Sequence, residues 1–343
     1  MTRQRRATLD EVAAHAGVSK ATASKVLNHR PGISASTRRR VEEAMRELDY
    51  SLTTTPPVPG RTVTAVFDTL VNLYSLKVLE GAIDAADSAG VDLVTSALAP
   101  NPSGRPAKPF DPAYVHRIAA KGHTGLLVVT TRIGDAVVAA CASAGLPLVA
   151  VDPPNALDGS VVSIGSHHWV GGMQAAQHLL SLGHRRIAFV GGEPDNAGLR
   201  ERFGGYREVL ETAGVTVDPR LVSQEGMGSS ERAVGPMLAL PPGARPTAVF
   251  AATDGDALSV IRVAYQLGLS VPRDVSVVGY DDTYAAIAAS THLLTTVRTP
   301  MHGIGDLALK TLLQMSAGID PVSRQIRLST TLITRETTAP PPP

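Results

Sequence analysis

From Thr62 onward, short apolar runs rich in β-branched residues alternate with amphipathic stretches, and this alternation restricts the fold more than any other feature of the chain. Strand patterns occur over 63–67, 92–96, 125–130, 147–151, 187–191, 248–252 and 276–280. Helical patterns fill the gaps over 75–88, 136–143, 167–181, 199–212, 255–267 and 301–316. Strands apolar on both faces belong in parallel sheets covered by helices on both sides, so the class is α/β. The series is too long for one comfortable sheet. Two doubly wound lobes are expected, and such sheets bind ligands beyond the carboxyl ends of their strands. A cleft between the lobes is the expected site.

Length and composition agree. The 343 residues allow two or three domains, and 43% hydrophobic with 18% charged residues is a globular balance. One cysteine, Cys141, excludes a disulfide framework and a cysteine-based zinc cluster. It lies in an apolar helical stretch and is expected buried and inert. No apolar run approaches the roughly 18 to 20 residues that span a bilayer. The basic start, Met1 to Arg6, is followed by no apolar stretch, so a signal peptide is not expected and a soluble, cytoplasmic protein is.

The net charge of +1 conceals an asymmetry. Residues 1–50 carry ten Lys or Arg against six Asp or Glu, leaving the remainder mildly acidic. A basic head on an acidic body suits contact with a polyanion. Within that head, Thr8-Leu-Asp-Glu11 is a capping box, and Leu9, Val12, Ala13 and Ala16 follow at helical spacing. Gly17 ends this helix after two turns. Ser19 caps a second, running to about Asn28, and Ser34 caps a third, bearing Val41, Ala44, Met45 and Leu48. Two short helices joined by a tight glycine turn form a helix-turn-helix. Val12, Ala16, Val18, Ala23 and Val26 can close its small core, leaving Lys20, Ala21, Thr22, Ser24 and Lys25 for a major groove.

The stretch Thr8-Leu-Asp-Glu-Val-Ala-Ala-His-Ala-Gly-Val-Ser-Lys-Ala-Thr-Ala-Ser-Lys-Val-Leu-Asn28 resembles the headpiece of the LacI/GalR family of lactose-repressor-type transcriptional regulators, and Val41 to Tyr50 matches as well. The resemblance continues through Leu182 to Gly192, Arg202-Phe-Gly-Gly-Tyr206, Pro246 to Phe250, Val271 to Asp282 and Leu294-Thr-Thr-Val-Arg298. It implies a periplasmic sugar-binding-protein-like body of type I. One lobe would take about 62–163 and 297–325, the other 164–296 and 326–338. It also implies that Lys20, Ala21 and Lys25 stand at base-reading positions, while Thr8, Ser19, Thr22, Ser24, Asn28 and Tyr50 serve phosphates or orient the helix. Lys25 can reach guanine O6 and N7 but lacks arginine's planar fork.

The linker departs from that family. Where a short helix with an inserted leucine is usual, this chain reads Ser51-Leu-Thr-Thr-Thr-Pro-Pro-Val-Pro-Gly60. Three prolines exclude a helix over 56–59, so 51–61 is expected as an extended tether. Leu52 is the only nearby apolar candidate for that leucine, and an operator bent less than is usual is expected. Residues 100–109 read as a long surface loop, and 339–343 as a disordered tail.

A polyhydroxylated ligand needs carboxylates, an arginine and an aromatic wall. Asp281 directly follows a buried strand. Arg202 opens a helix, and the family uses both positions for effector contacts. Asp152 ends another strand; Asp68, Asn72 and Tyr74 follow the first. Thr253 stands where the family has asparagine, so the ligand cannot be copied from a relative. Gly191-Gly192 lacks any further nucleotide-binding pattern, and no hydrolase elbow is present. His167, His168 and His178 lack metal spacing. No cofactor, metal or catalysis is expected. The reading is a dimeric regulator, a repressor, binding a pseudo-palindromic double-stranded DNA operator and a small carbohydrate-like effector. A DNA-independent solute-binding protein and a doubly wound enzyme are the rival readings. The missing signal peptide counts against the first, and the missing cofactor motif against the second.

Overall fold

The computed structural model describes residues 9–27, 34–47, 61–100, 107–225, 229–283 and 293–342. The chain divides into two compact units, Met1–Pro56 and Pro57–Pro343.

The described residues of the first unit form three helices, α1 (Leu9–His15), α2 (Lys20–Leu27) and α3 (Ala35–Glu47). Gly17 takes φ +63°, the left-handed turn that glycine adopts without steric cost. Ser19 Oγ accepts from the Thr22 amide at 3.2 Å, and Ser34 Oγ from the Thr37 amide at 3.2 Å, so both expected caps are in place. The core consists of Val12, Ala13, Ala16, Ala23, Val26, Val41 and Ala44, with Val18 packed against it. Residues this small let three short helices cross closely. His15 Nε2 and Glu47 Oε2, 2.7 Å apart, tie α1 to α3.

The second unit contains two six-stranded sheets. In the first lobe the order is β2-β1-β3-β4-β5-β11: Asp92–Ala97, Thr62–Phe67, His123–Val129, Leu148–Val151, Val162–Ser166 and Gln325–Leu328. In the second it is β7-β6-β8-β9-β10-β12: Val222–Ser223, Ile187–Val190, Ala248–Ala251, Ser276–Asp281, Thr295–Arg298 and Thr331–Ile333. The winding is the same in both. Every pairing is parallel except β10 with β12. The central strands are buried along all or nearly all of their length, as runs of Val, Ile, Leu, Ala and Phe require.

The helices are α4 (Leu73–Ala89), α5 (Pro112–Ala120) and α6 (Asp135–Ser143) in the first lobe. The second carries α7 (His168–Ser181), α8 (Ala197–Thr212), α9 (Ser230–Leu238) and α10 (Asp254–Gln266). The last helix, α11 (Met301–Ser316), returns to the first lobe, where Ile304, Ala308, Leu309 and Leu312 join its core. Helices α5 and α9 and the short strands β5, β7, β10, β11 and β12 were not expected from sequence pattern. Cys141 is buried, which pushes its thiol up to about 11.

Two expectations need correction. The lobe boundaries move by two to five residues. Strands β5 and β11 lie whole in the first sheet and β10 whole in the second, so the chain changes lobe at 166–168, 298–301 and 328–331. The tail is also ordered through Pro342. Thr337 is fully buried; its carbonyl accepts from the Val277 amide at 2.7 Å, and its hydroxyl donates to the Val277 carbonyl at 2.7 Å. Ala339 exchanges hydrogen bonds with the Ser276 side chain. The tail therefore extends the flank of β9, and its prolines cost nothing where no amide is needed. The linker 51–60 and loop residues 101–106 lie outside the described residues.

Candidate functional site

The strand ends that face the interlobe cleft are conformationally strained. Among the described residues, four non-glycine residues have left-handed backbone: Thr130 (φ +49°) after β3, Asp152 (φ +40°) after β4, and Asp281 (φ +106°) and Asp282 (φ +56°) at the end of β9. Such strain persists where surrounding contacts overdetermine it, and it clusters at ligand sites.

Those contacts form a continuous polar bridge across the cleft. Asn72 caps α4 by accepting from the Ser75 amide at 2.7 Å, which places Tyr74 in the helix's first turn. The Tyr74 hydroxyl donates to one Asp152 carboxylate oxygen in a short hydrogen bond. The other oxygen meets His168 Nε2 at 3.1 Å, at the start of α7. Arg202 Nε donates to His168 Nδ1 at 3.3 Å. A guanidinium N–H can only donate, so Nδ1 accepts and Nε2 carries the ring proton toward Asp152. Arg202 also donates from Nη1 to the Ala252 carbonyl at 2.6 Å and from Nη2 to Asp281 Oδ1 at 3.2 Å. Its guanidinium lies 3.7 Å over the Tyr280 ring.

Helix packing sets the arginine's position. A β-carbon at Gly172 would sit 2.1 Å from the Arg202 carbonyl oxygen, so α7 and α8 approach closely only because that residue is glycine. Asn196 caps α8 through the Leu199 amide at 3.2 Å. Behind the bridge, Phe189, Phe203, Tyr206, Phe250 and Tyr280 form a continuous aromatic cluster.

The electrostatics are those of a closed, low-dielectric site. Arg202 and Asp281 are only 5% and 6% exposed. Burial raises the Asp281 carboxyl, and the neighbouring Asp152 adds to this, against the pull of Arg202. At Asp152 burial acts upward too, but the His168 ring and the Tyr74 hydroxyl outweigh it and hold the group below its usual range. Tyr74 is raised well above a free phenol by burial and by Asp152.

One more buried carboxylate supports the strand end. Asp254, 1% exposed, accepts from the Thr283 amide at 2.7 Å, the Thr283 hydroxyl at 2.9 Å and the Thr296 hydroxyl at 2.6 Å. Burial and the nearby Asp281 push it up to about 7, even against those three hydrogen bonds. Its grip on Thr283 fixes the backbone just beyond Asp281 and Asp282. Asp282 in turn binds Arg298 at 2.7 Å and Arg335 at 2.6 Å.

Of the seven expected ligand residues, the structure joins Tyr74, Asp152, Arg202 and Asp281 in one network. Asn72 and Thr253 are helix caps; the Thr253 hydroxyl accepts from the Asp256 amide at 3.1 Å. Asp68 follows β1 outside the bridge, raised by partial burial and by Glu193. His168 and Asp254 were missed. The signal for His168 was strand β5, whose carboxyl end runs straight into it. That for Asp254 was its place one residue after Thr253, at another strand end. Beside the bridge, a cavity of about 520 Å³ is lined by Arg132, Pro154, Asn155, Ala156, Asp195 and Arg200.

In the headpiece, Ser19 and Lys20 are exposed at the start of α2, and the Ser19 and Thr22 hydroxyls are 2.9 Å apart. Ala21, Ser24 and Lys25 fall within α2. Thr8, Asn28 and Tyr50 lie outside the described residues. Among the described residues no helix is long and apolar enough to cross a membrane, and no cluster of His, Cys, Asp and Glu could hold a metal ion.

A helix-turn-helix unit joined to two doubly wound lobes with a polar cleft defines the class of regulators that bind DNA and carry a ligand-binding body. Comparison with known proteins gives the family. The description "Bacterial regulatory proteins, lacI family" matches residues 8–52, and "Periplasmic binding protein-like domain" matches 176–338. The HTH-type transcriptional regulator CelR of Thermobifida fusca is 34% identical over 98% of this chain and 99% of its own. A CelR–cellobiose complex superposes with TM-score 0.70 at 31% identity, covering 97% of this chain and all of that one. A lac repressor dimer bound to operator and the anti-inducer ONPF gives 0.69 at 28% identity, covering 98% and 100%. The chain belongs to the lacI family of bacterial regulatory proteins and is a transcriptional regulator.

Proposed function

We propose that this chain is a repressor that works as a homodimer without catalysis. Two α2 helices engage the half-sites of a pseudo-palindromic operator, since one helix-turn-helix reads too few base pairs alone. Lys20, Ala21 and Lys25 face the bases, and Thr8, Ser19, Thr22, Ser24, Asn28 and Tyr50 serve the backbone or orient the helix. A small carbohydrate-like effector enters between the lobes at Tyr74, Asp152, Arg202 and Asp281, with Asp68, Asn72 and Thr253 at the rim.

The observation that carries this reading is the buried bridge Tyr74–Asp152–His168–Arg202–Asp281. Its members are carboxylates, an arginine fork, an imidazole and a phenol, the groups that recognise vicinal hydroxyls. Hydroxyls of a bound ligand would replace the direct contacts and change how the lobes are joined. That shifts operator affinity only if the two lobe arrangements differ in effector affinity.

Selection of bound genomic fragments, followed by a screen of sugars for release or tightening in an electrophoretic shift, tests the proposal. A discrete operator whose occupancy responds to one sugar class is the expected result. Absence of any retained fragment would contradict the DNA reading; an operator indifferent to every sugar would contradict the effector reading.

A further inference from the structure

The 520 Å³ cavity beside the bridge has its own chemistry. Arg132 comes from the segment after β3 in the first lobe, and Arg200 from α8 in the second. The lobes touch here, through the Ala197 amide and the Pro154 carbonyl at 2.8 Å. Asn155 contributes little to a ligand, because its amide is committed to Ile133: it accepts from the Ile133 N–H at 3.0 Å and donates to the Ile133 carbonyl at 2.9 Å. That pairing braces the backbone next to Arg132. Arg200 is oriented by one bond, Nη1 to the Pro194 carbonyl at 2.6 Å, which leaves its other donors open. Arg132 makes no hydrogen bond or ion pair among the described residues.

Besides Pro154, Asn155 and Ala156, what lines the cavity is two arginines and one carboxylate, Asp195, with no aromatic residue. A neutral sugar ring prefers an aromatic wall for its C–H face. A phosphate or carboxylate needs none and matches the arginine fork in two parallel hydrogen bonds. Neither guanidinium is paired with Asp195, so the cavity presents an uncompensated positive charge.

We propose that this cavity is an anion site, separate from the bridge, that takes the phosphate or carboxylate group of a small polyol. Arg132 and Arg200 grip the anion from opposite lobes, and Asp195 accepts a hydroxyl of the same molecule. Because the two arginines belong to different lobes, the ligand stabilises the arrangement in which they approach.

Titration of the full-length protein by calorimetry tests this, with Trp169, the chain's one tryptophan, as a fluorescence reporter on α7. The probes are glucose, glucose 6-phosphate, glucuronate and inorganic phosphate. At least one acidic probe is expected to bind tenfold or more tightly than glucose. Arg132→Gln and Arg200→Gln should each weaken it by at least about tenfold, the loss appropriate to a charge-assisted pair. Preference for glucose 6-phosphate identifies phosphate as the group; preference for glucuronate identifies carboxylate. Binding of inorganic phosphate alone would show an adventitious ion and overturn the polyol assignment. Acidic probes that bind no better than glucose, or equally well to both variants, would overturn the site. Both arginines are exposed, so melting curves of the variants should match the parent chain. A sugar-responsive operator with no anion effect would sink this inference while leaving the repressor reading intact.

Discussion

The two lobes share one winding but divide the work at the cleft unequally. Their sheets run β2-β1-β3-β4-β5-β11 and β7-β6-β8-β9-β10-β12, the same path drawn twice. The first lobe rests on a largely aliphatic core and contributes Tyr74 and Asp152 to the bridge. The second backs its cleft wall with aromatic rings and sends Arg202 and Asp281 inward, with Asp254 behind them. Topology thus sets where a cleft lies, while the residues at a few strand ends decide which side carries the charge. The second lobe, with its buried arginine–carboxylate pair, acts as the charged jaw; the first meets it with one carboxylate, Asp152, and one phenol, Tyr74.

That asymmetry can be broken from either side. Arg202→Ala should be the most damaging change, since it leaves Asp281 buried and unpaired; about 3 to 5 kcal/mol of stability is at stake, read by urea unfolding. Arg202→Lys should recover only part, because an ammonium cannot keep the three directed bonds.

Asp254→Asn comes next and has a pH signature. Its folded value of about 7 lies above the ordinary 3.8, so the native state holds a proton that the unfolded chain releases. The parent protein should therefore lose stability relative to the variant as pH rises from about 4 to 7, by a few kcal/mol, and the gap should stay level above that. A melting difference that widens in acid instead would show that the carboxyl is ionised in the fold.

On the first lobe, Tyr74→Phe should cost only about 1.5 to 3 kcal/mol, the worth of one hydrogen bond to a charged acceptor. A loss as large as that for Arg202→Ala would erase the distinction between the jaws. The smallest effect belongs to the tail. Thr338→Val removes contacts to His178 at 2.9 Å and Thr295 at 3.3 Å, and about 0.5 to 1.5 kcal/mol should follow. Proteolysis that clips the parent chain at 338 as readily as the variant would argue that this segment is not held.

How much was legible depended on how local the cause is. Buried strands such as β1 and β8 and helices such as α4 and α11 announce themselves by periodicity, because one face or both faces are apolar over a full turn or more. Strand β5 did not. Val-Ser-Ile-Gly-Ser offers few large apolar groups, and its burial comes from neighbours far along the chain. Missing it meant that His168 looked like an ordinary helix residue instead of one at a strand's carboxyl end. Asn72 and Thr253 illustrate the opposite case. Both are residue types that cap helices, and that local role is what the structure shows at each. Asp254's position at a strand end was legible, but its raised carboxyl was not, because it depends on Asp281, twenty-seven residues away in sequence and adjacent only once β8 and β9 pair. The tail misled by composition. Prolines suggested disorder, yet the hydrogen bonds of Thr337 and Ala339 to β9 are long-range and leave no periodic trace.

If the charged jaw of the second lobe is where effector binding is converted into operator release, Asp281→Asn supplies the sharpest test. The substitution keeps the side chain's size and one acceptor while removing the charge that Arg202 engages. With the natural operator and the sugar found to act on the parent protein, the variant should bind DNA within about threefold of the parent yet lose at least tenfold in its response to that sugar. An unchanged sugar response in a properly folded Asp281→Asn protein would contradict the account.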